Sequence, residues 1–90
     1  MTRYRLLVAD PPRVVELHLA PIEVWRTERH AALVAELAEG LIAPADFEHE
    51  AGALLPLAGG LRLLADPAAV LALVEELRAQ DLDLGATGKS

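Results

Sequence analysis

Ninety residues with a net charge of −6 and no cysteine fit a single domain and exclude disulfides, thiolate nucleophiles and cysteine-held zinc. Eight lysines and arginines, in no cluster, stand against 14 acidic residues, which argues against a nucleic-acid partner. The longest uncharged run, residues 51–61, has eleven residues and contains Pro56, Gly59 and Gly60; a membrane span needs about 20.

Residues 3–9 read as a strand, with Tyr4, Leu6 and Val8 on one face and Arg3, Arg5 and Leu7 on the other. Asp10, Pro11 and Pro12 punctuate it. Residues 13–19 alternate again, Val15, Leu17 and Leu19 against Val14, Glu16 and His18. The two runs predict an antiparallel hairpin in which Arg3 and Arg5 meet Glu16 and His18 across the strands. Residues 21–26 fit either a third strand, from the alternation of Ile22, Glu23, Val24 and Trp25, or a helix start behind Pro21. A helix over 28–39 follows, with Thr27 as the expected cap, His30, Leu33, Val34 and Leu37 on one face, and Gly40 as the stop.

Residues 41–51 look irregular, with room for a short helical turn. Residues 52–58 and 61–65 around Gly59-Gly60 resemble a second hairpin, its first strand held to an edge by Pro56. Asp66 and Pro67 open a last helix over 67–80, in which Val70, Leu71, Leu73, Val74 and Leu77 form the inward stripe. Residues 85–90 read as a disordered tail, so the domain is expected to span 1–84. The expected fold is α+β: one domain with a small antiparallel sheet of two to four strands packed against two helices. The echo of residues 5–11 in 62–67, each a leucine pair leading to Asp-Pro, fits chance in a leucine- and alanine-rich chain.

Motifs for chemistry are sparse. The ending Gly85-Ala86-Thr87-Gly88-Lys89-Ser90 resembles the close of a phosphate-binding loop, but the pattern needs glycine where Asp83 stands. Asp46, Glu48, His49 and Glu50 are the one dense set of possible ligands or acid–base groups. Three of them are adjacent in sequence, so in a helix they point about 100° apart and do not converge. His18, His30 and His49 are not forced together by any spacing. Outside Tyr4, the hydroxyls are Thr2, Thr27, Thr87 and Ser90, too few for nucleophilic catalysis. No catalytic residue, metal ligand or cofactor is therefore expected.

What stands out is grease. The apolar set makes up 53% of the chain, including 18 leucines and 17 alanines, and the mean hydropathy is +0.31. A fold this short buries only roughly 60–65% of its unfolded surface, and exposed apolar patches mark interfaces. The sequence thus predicts a cytoplasmic, non-catalytic protein-interaction module: an accessory subunit, adaptor or antitoxin-like regulator whose partner is another protein or a second copy. Trp25, Phe47, Leu54 and Leu55 are the residues expected at that interface. The competing reading is a small metal- or ligand-binding enzyme built on 46–50.

Overall fold

The alternation of apolar and polar residues at the start of the chain forms the expected hairpin. In the computed structural model, which describes residues 2–87, β1 (Arg3–Val8) pairs antiparallel with β2 (Arg13–His18) from Arg3↔His18 to Val8↔Arg13 without a bulge. Arg5 meets Glu16 across the strands as charge matching predicts, with Nη2 donating to Glu16 Oε2 at 2.8 Å. The turn is made at Asp10, whose φ of 63° an aspartate tolerates better than most residues.

The ambiguity after Pro21 resolves as helix. α1 runs Pro21–Ala38, with Pro21 in the first turn and the Glu23 carboxylate reaching back to the Ala20 N–H at 3.3 Å. Thr27 is therefore interior and is not the cap; its hydroxyl donates to the Val24 carbonyl at 2.8 Å. Gly40, at φ 76°, follows the helix in the left-handed conformation that ends many helices.

The stretch expected to be irregular, with room for a short helical turn, holds a second helix, α2 (Pro44–Gly52), whose inward side is Phe47 and Ala51. The expected second hairpin is absent. α2 consumes the start of its first strand, Pro56 has no N–H to give, and a single 3₁₀ turn occupies Ala58–Gly60. Gly59 and Gly60, both at φ 79°, make that turn possible, and Leu57 N–H closes it on the Leu61 carbonyl at 2.7 Å. Of this region residues 62–64 reach the sheet: Leu63 bridges Val8, the Arg62 carbonyl accepts from Ala9 N–H at 2.9 Å, and Leu64 N–H donates to the Leu7 carbonyl at 3.0 Å.

α3 (Pro67–Ala79) is capped by the Asp66 carboxylate, which accepts from Ala68 N–H at 3.1 Å. Residues 85–87 are not a tail: β3 (Gly85–Ala86) pairs antiparallel with Tyr4 and Arg5, and Thr87 N–H donates to the Arg3 carbonyl at 2.8 Å. Residues 88–90, the rest of the expected disordered tail, lie outside the described residues. The sheet order is β2-β1-β3. The α+β class holds, with three helices where two were expected.

β1 is central and feeds two apolar clusters. Leu7 faces a helical core with Leu33, Val34, Leu37, Phe47, Leu64, Val70, Val74 and Leu77. Leu6 and Val8 face the other way, into a smaller cluster with Leu57 and Leu63. The three helices cover the first face; the loop between α2 and α3 covers the second. No helix among the described residues is long and apolar enough to cross a membrane.

Candidate interaction surface

α1 is polar as well as apolar on its inward side. Glu23, Thr27 and His30, spaced four and three residues apart, share one helix face and are all buried. Each is satisfied. The Glu23 Oε2 accepts from Ala58 N–H at 2.6 Å. His30 Nε2 lies 2.7 Å from the Leu64 carbonyl; a carbonyl only accepts, so Nε2 carries the hydrogen. Burial pushes the His30 pKa below its ordinary value, with the Leu64 bond opposing that shift. Its ring also stands 6.2 Å from that of Phe47. Two bonds thus tie the 58–64 segment to α1.

The same ties place the surface residues. Arg29 on α1 pairs with Glu50 near the end of α2 at 3.4 Å, and eight residues later Ala58 is fastened to Glu23, six residues back along α1. The intervening loop, with Leu54 and Leu55, therefore runs beside the first turns of α1. In the first turns of α1 Ile22 is 68% exposed and Trp25 55%, and on the loop Leu55 is 61% exposed. The Arg26 guanidinium lies 5.7 Å from the Trp25 ring centroid, a cation–π distance. Its Nε is buried without a hydrogen-bond partner. Among the described residues Leu41 and Leu71 are the remaining large exposed apolar side chains; Leu71, expected on the inward stripe of α3, is 38% exposed.

The other expected interface residues fall differently. Leu54 is half-buried and lines, with Leu55, an open cleft of about 580 Å³ between the β1–β2 turn, the end of α2 and residues 62–66. The ionisable groups of that cleft are Asp10, Arg62 and Asp66, and Asp66 is already engaged as the α3 cap. Phe47 does not belong to any surface: it is 0% exposed, at the centre of the helical core. An aromatic inside a run of acidic residues looks exposed, yet Ala51 one turn later carries the signal of a buried helix face.

No known family, curated protein or solved structure matches the chain.

Asp46, Glu48, His49 and Glu50 are all exposed on α2, and the helix splays them around its outer side. His18 is exposed on β2 and His30 is sealed in the core. Among the described residues no three histidine or acidic side chains come together in a way that could hold a metal ion. The apolar surplus also narrows. Fifteen of the 18 leucines are buried or half-buried. The accessible surface of 5474 Å² stands close to the roughly 5,100 Å² expected of a compact monomer of this mass. The excess is thus a matter of a few side chains, Ile22 and Trp25 in the first turns of α1 among them.

Proposed function

We propose that this protein is a non-catalytic interaction module, an accessory subunit, adaptor or antitoxin-like regulator that works in an assembly with another protein or with copies of itself. The observation that carries this reading is the exposed Trp25 with Ile22 one turn before it and the Arg26 cation against its ring. Tryptophan and arginine are among the residue types most enriched where binding energy concentrates. The dispersal of the 46–50 side chains supports it from the other side, since they offer no convergent site.

The test uses the tagged full chain in extract of its own cells. The wild type is expected to elute at a mass well above the 9.6 kDa of one chain, and the double variant Ile22→Ser, Trp25→Ala to fall back while keeping its helical circular dichroism. Trp25 is the single tryptophan, so its fluorescence gives a second reading: iodide quenches it in the free chain and fails to in the assembly. Equal elution of wild type and variant, with quenching unchanged, refutes the proposal.

A further inference from the structure

The sheet has an open side. β2 is terminal in the order β2-β1-β3, and the backbone hydrogen bonds fix which of its groups are free. Arg3 and Leu7 accept from Thr87 and Leu64, and Ala9 donates to Arg62. Odd-numbered residues of β1 thus point away from β2, and Tyr4, Leu6 and Val8 point toward it. Their partners Leu17, Val15 and Arg13 use their backbone groups inside the sheet. Val14, Glu16 and His18 present theirs outward, and no backbone hydrogen bond from another described residue meets them. The strand has no proline, no lysine and no bulge within its six residues, and its charged side chains are Arg13 and Glu16, the latter already paired with Arg5 of its own chain.

We propose that a second copy of this chain covers this edge, β2 against β2, antiparallel, with Leu17 on the two-fold axis. This rests on the self-assembly half of the proposed function and names its surface. The register follows from charge and face. With Leu17 opposite the partner's Leu17, Glu16 lies opposite the partner's His18, and each pair exchanges its outward N–H and C=O. Val15 then meets the partner's Leu19 on the sheet face where Val15, Leu17 and Leu19 are only half-buried beside the Leu6–Val8 cluster. An acid faces an imidazole on one side of the joined sheet, and an apolar stripe continues across the other. Neighbouring registers lose this match. Centring on Glu16 sets two carboxylates against each other, which destabilises a pair; centring on Val15 sets Val14 against Glu16 and Arg13 against Leu17.

The chain has no cysteine, so one introduced thiol reports the register directly. In the proposed dimer the two Leu17 positions form a non-hydrogen-bonded pair about 4.5 Å apart at Cα, inside the span of about 4.4–6.8 Å that a disulfide bridges. The two Val15 positions lie four residues out of step, about 13 Å along the strand. Mild oxidation is therefore expected to link Leu17→Cys into a dimer that reductant releases, and to leave Val15→Cys single. His18→Glu, an exposed change, is expected to weaken association on the order of tenfold in light scattering. It decides the matter if Leu17→Cys does not fold. A wild type that dimerises while Leu17→Cys stays unlinked, or while Val15→Cys links and Leu17→Cys does not, overturns this interface and leaves the Trp25 reading standing. The same holds if His18→Glu dimerises unchanged. A wild type that is monomeric at high micromolar concentration overturns self-assembly altogether.

Discussion

Replacing His30 by leucine separates what its ring contributes by filling space from what it contributes as a donor. The side chain is 1% exposed, and its Nε2 satisfies the Leu64 carbonyl at 2.7 Å. Leucine occupies much of the same volume but leaves that carbonyl without its donor in the interior, a loss of about 1–3 kcal/mol. That is a large share of the roughly 5–13 kcal/mol expected for a domain of this length. The penalty should also depend on pH, with a definite sign. Because burial lowers the folded pKa of His30, the unfolded chain binds the proton first as pH falls below about 6.5. The wild type therefore loses stability on acidification through this group, and the leucine variant does not. Between pH 7.5 and 5.5 the gap between the two should narrow by up to about 1.4 kcal/mol. Urea unfolding followed by circular dichroism at both pH values measures it. A gap that stays constant or widens refutes a neutral, buried His30.

Phe47→Ala should cost about 3–5 kcal/mol in the same assay and bring the chain close to unfolding at room temperature, because the ring is wholly enclosed between α2 and the other helices. The exposed pair Glu48→Ala, His49→Ala should change stability by no more than about 0.5 kcal/mol. Zinc, manganese, nickel or iron should leave the melting temperature of the wild type where it was, since a native-state site would raise it. A metal-dependent rise that the double variant abolishes would restore the competing reading of residues 46–50.

Elements with a period long enough to count were legible in the residues. Six alternating positions on either side of Asp10 define the hairpin, and the Asp66-Pro67 start with five apolar positions behind it defines α3. α2 was not, because nine residues give a helical face only two inward positions, Phe47 and Ala51, among charged neighbours. The false second hairpin came from reading Gly59-Gly60 as a strand-to-strand turn. The turn residues are right, but the pairing that decides between a hairpin and a 3₁₀ turn lies elsewhere: Glu23, some 35 positions earlier, takes the Ala58 N–H. β3 is two residues whose only distinction is the edge of β1 they meet, and no local pattern announces that. At the candidate surface, Trp25 and Leu55 were readable as apolar residues beside charges or proline. Ile22 was missed because the same alternation suits a strand with that side chain turned in.

Leu6, Leu7 and Val8 make β1 a party wall between two rooms of unequal build. Behind Leu7 stand three helices interlocked along their lengths. Behind Leu6 and Val8 there is one layer of loop, held by Leu57 and Leu63, by the Glu23 and His30 fastenings to α1 and by the backbone bonds of Arg62 and Leu64 to β1. Local opening follows the number of contacts that must be given up, so the backbone amides of the thin room are expected to exchange before those of the thick one. The protein thus has a firm side and a yielding side, and the yielding side borders both the Trp25 end and the apolar stripe of β2.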